Sequence, residues 1–131
     1  MLLDTSGLLC LFDVRDQRHV DARALYDAAT KRFTHNYVLA EFVALANARG
    51  APRADALAFV AALLETPEVQ VVWVDKTLHQ ASVEFLQARL DKAWSLCDAI
   101  SFLLMQQQGI TDALTTDHHF EQAGFVRLLK P

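Results

Sequence analysis

The stretch Met1–Phe12, MLLDTSGLLCLF, joins a short apolar segment, an acidic residue and a second apolar segment. Met1–Leu3 predicts a strand that ends at Asp4, and Leu8–Phe12 predicts the start of a helix. A strand that leads at once into a helix is typical of α/β proteins. The stretch therefore indicates such a fold, with an acidic side chain at the carboxyl end of the first strand.

The rest of the chain continues to alternate strands with helices. The β-branched and aromatic run Val69–Val74 predicts a strand buried on both faces, and shorter strands are predicted at Arg32–Thr34, Ala113–Thr116 and Phe125–Leu129. Helices are predicted at His19–Thr30, Tyr37–Arg49, Arg53–Glu65, Thr77–Leu90 and Ser95–Gln108. This order favours an α/β fold with a mostly parallel sheet, formed as one domain over residues 1–131.

Composition limits the class of protein further. The 131 residues are 53% hydrophobic and 21% charged, which is typical of a compact globular domain. The net charge of −4 disfavours a passive nucleic-acid-binding module, but it suits an active site built from carboxylates. We expect Cys10 and Cys97 to be reduced and buried in a cytoplasmic protein. Neither a signal peptide nor a transmembrane span is visible, so no membrane association is expected.

Four widely separated acids, Asp4, Glu41, Asp98 and Asp117, occupy apolar surroundings. Buried carboxylates cost free energy unless something compensates them, and no single Lys or Arg lies near all four in sequence. Two carboxylates about 5 Å apart repel by about 3 kcal/mol at an effective dielectric of about 20. The simplest common compensator is a divalent metal, and oxygen ligands alone favour Mg²⁺ or Mn²⁺. The pattern predicts a metal-dependent hydrolase that acts on a phosphodiester.

The predicted position of each acid supports this interpretation. Asp4 and Asp117 end strands, where open α/β sheets bind ligands. Asp98 lies in the first turn of a helix, in a capping box with Ser95 at the positive end of the helix dipole. Glu41 lies in the middle of a helix that is apolar all round, so we expect it to be buried and in need of a partner.

Each acid also has a purely structural interpretation. Asp4 can be a turn former, Asp98 a capping-box acid, and Asp117 a cap for the turn that follows it. Glu41 is the hardest to explain in this way, because burying a glutamate is costly. The four together indicate function more strongly than any one of them does.

With these residues placed, the chain resembles the PIN-domain family of metal-dependent nucleases over essentially its full length. The resemblance rests on four blocks in order: LLDTSGLL, FTHNYVLAEFVAL, SLCDAISFLL and TTDHHF followed by FVRLL. It implies a flavodoxin-like, three-layer α/β/α sandwich whose acidic pocket binds Mg²⁺ or Mn²⁺ and hydrolyses RNA. Asp4, Glu41, Asp98 and Asp117 would form the catalytic and metal-binding site. Asp4 and Asp98 would be the direct ligands, while Glu41 and Asp117 would act on the metal, a second ion or water.

Small members of the family resemble VapC-type toxins of type II toxin–antitoxin pairs. The resemblance therefore implies an RNA substrate, an antitoxin protein partner and a homodimer. Alternatives are a PIN-domain nuclease of RNA processing and a non-catalytic PIN-like domain that binds protein or RNA. A phosphoacceptor receiver-like domain also uses acids at strand ends, but Lys130 is poorly placed for it.

Several other residues invite a functional interpretation. Asp75 follows a strand, and capping of the next helix explains it better than a place in the site. His118 and His119 are expected on an exposed turn, solvated or facing RNA, since imidazole is not a preferred ligand of Mg²⁺. Trp73 is expected in a strand core, and Trp94 is expected to pack rather than to stack on a base.

Overall fold

The computed structural model describes all residues 1–131 and contains five strands and seven helices. The strands are β1 (Leu2–Leu3), β2 (Arg32–His35), β3 (Val69–Val72), β4 (Asp112–Leu114) and β5 (Val126–Arg127). The helices are α1 (Thr5–Phe12), α2 (His19–Ala28), α3 (Asn36–Ala48), α4 (Arg53–Glu65), α5 (Lys76–Gln87), α6 (Leu96–Gln108) and α7 (His119–Gln122).

All strand pairs are parallel, and the order across the sheet is β3-β2-β1-β4-β5. The chain therefore winds one way from β1 to β3 and the other way through β4 and β5. The direction changes between β1 and β4, and an open α/β sheet binds its ligands beyond the carboxyl ends of the strands at such a point.

Two hydrophobic clusters, one on each face of the sheet, make the predicted three-layer sandwich. One cluster contains buried side chains of α1, α3 and α4, with Phe42 at its centre. The other contains α6 and α7 together with Trp94, which stacks on Phe85 at a centroid distance of 5.7 Å. The prediction that Trp94 packs is confirmed, and so is the prediction that Cys10 and Cys97 are free and buried.

Local sequence explains where most helices begin and end. Ser95 and Asp98 form the predicted capping box of α6, and Gly109 ends that helix in the left-handed conformation with φ of 66°. Asp75 accepts a bond from the Leu78 N–H at the start of α5, which confirms it as a cap. The cap of α3 is His35, whose Nδ1 accepts from the Val38 N–H.

The prediction that Val69–Val74 is a strand buried on both faces is wrong. The strand β3 ends at Val72 and lies at the edge of the sheet, so Gln70 is exposed. Trp73 follows it and is 66% exposed instead of lying in the strand core. A continuous apolar run predicts a strand, but it does not say whether the strand has one neighbour or two.

The expectation that α3 is buried all round is also wrong. Its inner face carries Val38, Leu39 and Phe42, whereas Ala40 and Leu45 are exposed. Its outer face is apolar because it is rich in alanine, which also favours the helical state without burial. None of the helices combines the length and the apolar character that crossing a bilayer requires.

Candidate active site

The sheet brings two of the predicted acids to the point where its winding direction changes. Asp4 directly follows β1, and Asp117 lies in the loop after β4, the strand paired with β1. Asp98 approaches from the first turn of α6, and Glu41 from the second turn of α3. Elements that are distant in sequence therefore direct all four acids toward one end of the sheet.

Asp4 is the most buried of the four acids, with 5% of its surface exposed. Although it stands at the N-cap position of α1, its side chain makes no capping bond, so a cap does not explain it. The Oγ1 of Thr115 donates to its Oδ2 at 2.8 Å, and Asp4 forms no ion pair. Burial raises its pKa to about 7, opposed by the Thr115 bond and increased by the negative charges of Asp98 and Glu41.

Asp98 has a structural and an electrostatic role together. Its Oδ2 accepts from the Ser95 N–H at 3.0 Å, while the Ser95 Oγ accepts from the Asp98 N–H at 3.0 Å. Burial raises the pKa of Asp98, the bonds from Ser95 oppose this, and the charge of Asp117 adds to it. The capping box therefore orients a carboxylate that is only 8% exposed toward its acidic neighbours.

Glu41 is half-buried and forms no ion pair. It lies close enough to Asp4 to raise the pKa of that carboxyl. The pKa of the Cys97 thiol is raised by burial first, and then by the charges of Glu41, Asp4 and Asp98. The thiol at the start of α6 thus has three of the four acids around it.

A chain of hydroxyl groups links the β4 loop to α1. The Thr115 hydroxyl donates to Asp4 and accepts from the Asp117 N–H at 3.0 Å. Since its one proton is used for Asp4, the Ser6 hydroxyl, 3.1 Å away, donates to Thr115. Ser6 in turn accepts from the Thr116 N–H at 2.9 Å. These bonds hold the two strand ends, and so Asp4 and Asp117, in a fixed relation.

Sequence reasoning missed the role of Thr115. The buried hydroxyl that bonds Asp4 belongs to Thr115, in the predicted strand Ala113–Thr116. Asn36, at the start of α3, accepts from the Val74 N–H, away from the acids. The alternation of side chains along a strand gives a signal for Thr115. Ala113 and Thr115 point to the same face of β4 and its extension, so Thr115 is expected to be oriented like Ala113.

The prediction that both histidines lie on an exposed turn holds for His118 and is wrong for His119. The His118 side chain is 65% exposed, whereas that of His119 is 22% exposed. The Nδ1 of His119 lies 3.3 Å from the Asp98 Oδ2 and 3.3 Å from the Asp117 Oδ1. The N-terminus of the short helix α7 turns this ring inward, which single-residue propensities do not reveal.

Comparison with known proteins identifies relatives of this chain. The sequence model of the PIN-domain family matches residues 1–126 of this chain. The chain is 35% identical over 129 residues to the 23S rRNA-specific endonuclease VapC20 of two Mycobacterium tuberculosis strains, CDC 1551 / Oshkosh and ATCC 25618 / H37Rv, covering 98% of this chain and 97% of the relative. The crystal structure of M. tuberculosis VapC20, described as a Sarcin-Ricin loop cleaving toxin, superposes with a TM-score of 0.87 at 32% identity, over 99% of this chain and 98% of that one.

Proposed function

The chain belongs to the PIN-domain family, and from this premise we propose that it is a metal-dependent endoribonuclease, the toxin of a type II toxin–antitoxin pair. It hydrolyses phosphodiester bonds of RNA. The observation that carries the proposal is Asp4, a carboxyl almost fully buried beside other acids with no cation to balance it. Such a group is costly in a purely structural role and useful in a metal site.

PIN-domain nucleases generally use divalent metal ions. The residues of this site fit such an ion, because they offer carboxylate oxygens with few competing hydrogen bonds. Asp4, Glu41, Asp98 and Asp117 would hold Mg²⁺ or Mn²⁺, with Asp4 and Asp98 as direct ligands. When bound, such an ion supplies a more acidic water and stabilises negative charge on the phosphate.

The protein's own contribution is to hold the carboxylates in place. Thr115 fixes one oxygen of Asp4, and Ser95 fixes one oxygen of Asp98, so both side chains keep their orientation before substrate arrives. Oriented charges cost less reorganisation during the reaction than mobile ones. The repulsion among the acids is the free-energy cost that binding of a cation relieves.

The substrate we propose is ribosomal RNA, cut in a folded loop. VapC20, which shares 35% of its residues with this chain, is named as specific for 23S rRNA and as cleaving the Sarcin-Ricin loop. A stem-loop RNA of that kind is therefore the first substrate to test. We also propose that the reaction takes place in the cytoplasm.

The partner we propose is an antitoxin that carries a basic segment. The net charge of −4 and the group of acids beyond the carboxyl ends of the strands attract such a segment. We also propose a homodimer, since Leu57, Leu64 and Trp73 are all exposed. Size-exclusion chromatography with light scattering tests the dimer, and a mass of one chain would contradict it.

The decisive experiment is cleavage of the stem-loop RNA by the purified, antitoxin-free protein. We expect cleavage with Mg²⁺ or Mn²⁺ and none with EDTA. Asp98→Asn should lower the rate at least about 100-fold, since the loss of a charged ligand weakens metal binding. The amide oxygen of the substituted side chain can still accept the bond from the Ser95 N–H, so the free energy of unfolding should change by less than about 1 kcal/mol.

Asp75→Asn is the matched control, because Asp75 also caps a helix but has no part in the site. It should cleave at the wild-type rate. Equal activity of Asp98→Asn and wild type would contradict the proposal, as would cleavage that persists in EDTA. Binding of RNA without any cleavage would instead favour the non-catalytic PIN-like domain.

A further inference from the structure

The Nδ1 atom of His119 is a buried polar atom without a hydrogen-bond partner. It lies 3.3 Å from the Asp98 Oδ2 and the same distance from the Asp117 Oδ1. Those two acids belong to different elements, the first turn of α6 and the loop after β4. The ring nitrogen thus lies within ion-pair distance of two members of the acidic site without a hydrogen bond to either, while the backbone N–H of His119 donates to the Asp117 Oδ1 at 2.9 Å.

The two distances from the His119 Nδ1 to the carboxylate oxygens are closer to the spacing of two atoms bound to the same metal ion than to the length of a hydrogen bond. A charge-assisted bond between an imidazolium and a carboxylate is about 2.7–2.9 Å long. Two ligand atoms bound about 2.1 Å from one ion, at octahedral to tetrahedral angles, lie about 3.0–3.4 Å apart. Both nitrogen-to-oxygen distances at His119 fall within that second range.

The other histidines are unsuited to the same task. Three of the five already have partners away from the acids: His19 contacts the Cys10 carbonyl, His35 bonds to Ser101, and His79 bonds to Tyr37. His118 lies next to His119, and one ligand atom from each of Asp117, His118 and His119 lies within 4.8 Å of the others. However, the Nδ1 of His118 is 3.7 Å from the Asp117 Oδ1 and its side chain is 65% exposed, so it is the weaker candidate. His119 is therefore the one imidazole directed into the site.

We propose that the Nδ1 of His119 is a further direct ligand of the catalytic metal, beside Asp98, and that it makes the site prefer Mn²⁺ to Mg²⁺. Imidazole suits transition metals, whereas Mg²⁺ favours oxygen, so one nitrogen ligand changes the selectivity of an otherwise all-oxygen set. This inference rests on the proposed function, since it concerns a residue of the same metal site. It adds a nitrogen to the four acids that the sequence indicates.

The direct test is pulsed electron paramagnetic resonance of Mn²⁺ bound to the wild-type protein. A coordinated imidazole produces modulation from ¹⁴N, and labelling histidine with ¹⁵N should change that modulation. We expect the signal in wild type and in His118→Gln. We expect its loss in His119→Gln, because the glutamine amide does not occupy the position of Nδ1.

Calorimetric titration measures the selectivity without any RNA. His119→Gln should weaken Mn²⁺ binding about 10-fold and Mg²⁺ binding less than about 3-fold. His118→Gln should bind both ions as wild type does. Circular dichroism of each variant shows whether its fold is retained. If His119→Gln does not fold, the wild-type and His118→Gln spectra together decide the question, because the other three histidines have partners away from the acids.

The outcomes separate this inference from the proposed function. Mn²⁺ binding without nitrogen modulation in wild type would overturn the role of His119 and leave the carboxylate site in place. Modulation that disappears in His118→Gln but persists in His119→Gln would also overturn it. A wild-type protein that binds neither Mn²⁺ nor Mg²⁺ would contradict the metal-dependent function itself.

Discussion

At the scale of single residues, Asp4 combines the greatest burial with the least compensation. One hydroxyl, that of Thr115, bonds its carboxylate, and neighbouring acids increase its tendency to hold a proton. Its folded-state pKa of about 7 lies above the ordinary value of 3.8. The folded state therefore binds a proton more tightly than the unfolded state, and metal-free stability falls as pH rises from about 4 to about 7.

Asp4→Asn should stabilise the metal-free protein at pH 8. Each pKa unit corresponds to about 1.4 kcal/mol, so the ionised carboxylate costs up to about 4 kcal/mol there. The buried asparagine amide has imperfect hydrogen-bond partners, and this cost reduces the expected stabilisation to about 2 kcal/mol. Urea unfolding in EDTA at pH 8 and pH 4 measures it, and the gain should vanish at pH 4. An Asp4→Asn protein less stable than wild type at pH 8 would show that the carboxylate is compensated.

His35 has the opposite pH dependence. It is fully buried, its Nδ1 accepts from Val38, and its Nε2 bonds to the Ser101 hydroxyl. Because Nδ1 is an acceptor, the ring is neutral with its proton on Nε2. Burial lowers its pKa from 6.5 to about 4. The unfolded state therefore binds a proton more readily, and stability is lost as pH falls from about 6.5 to about 4.

We expect the protein to lose up to about 3 kcal/mol of stability over that pH range through His35. Asp4 acts in the opposite direction over the same range, so the measurement needs the Asp4→Asn background. Urea unfolding of that variant from pH 7 to pH 4 gives the dependence, and a His35→Gln change in the same background should flatten it. A level curve before His35 is replaced would be inconsistent with this assignment.

At the scale of elements, the close approach of α1 to β4 determines the geometry of the site. A Cβ on Gly7 would lie 2.0 Å from the Leu114 carbonyl oxygen and 2.8 Å from its carbon. The same carbonyl accepts from the Asp4 N–H at 3.3 Å. Only glycine at position 7 lets the helix lie close enough for Ser6 to reach the β4 loop.

Gly7→Ala should cost about 3 kcal/mol or more, because the contact is with backbone and one of the two elements must move. Gly109→Ala is the control, since its Cβ meets nothing and only its left-handed backbone is penalised, by about 1–2 kcal/mol. Thermal unfolding compares the two. A Gly7→Ala protein as stable as Gly109→Ala would mean that the helix moves at little cost.

At the scale of the whole molecule, the site depends on nearly the full length of the chain. Its acids lie at positions 4, 41, 98 and 117, and three different layers of the sandwich carry them. Packing on both faces of the sheet holds the acids together against their repulsion. A cation bound only by the folded state should therefore stabilise the entire protein.

Saturating Mn²⁺ should raise the unfolding temperature by about 5–10 °C at pH 8, since a ligand at 100 times its Kd stabilises by about 2.7 kcal/mol. The rise should be smaller at pH 5.5, where the proton on Asp4 competes with the metal. Differential scanning fluorimetry measures both. Asp75→Asn should respond as wild type and Asp98→Asn much less, and an equal response of the two variants would place the bound metal elsewhere.

Local sequence was sufficient for the succession of elements, the capping box of α6, the free cysteines and the positions of the four acids. These features depend on neighbouring residues, on the alternation of apolar segments and on the high cost of burying a carboxylate. The edge position of β3, the exposure of Trp73 and the His35 cap were not predictable in this way, because they depend on which elements become neighbours.

The α/β order and the acidic residues that the fold must accommodate therefore follow from the sequence alone. The folded arrangement is needed to see that Thr115 bonds Asp4, that α1 needs Gly7, and that His119 and not His118 turns toward Asp98 and Asp117. The physical reason is the same in each case. Propensity and burial act along the chain, whereas a hydrogen bond, a close backbone contact or a ligand spacing exists only after distant segments have packed together.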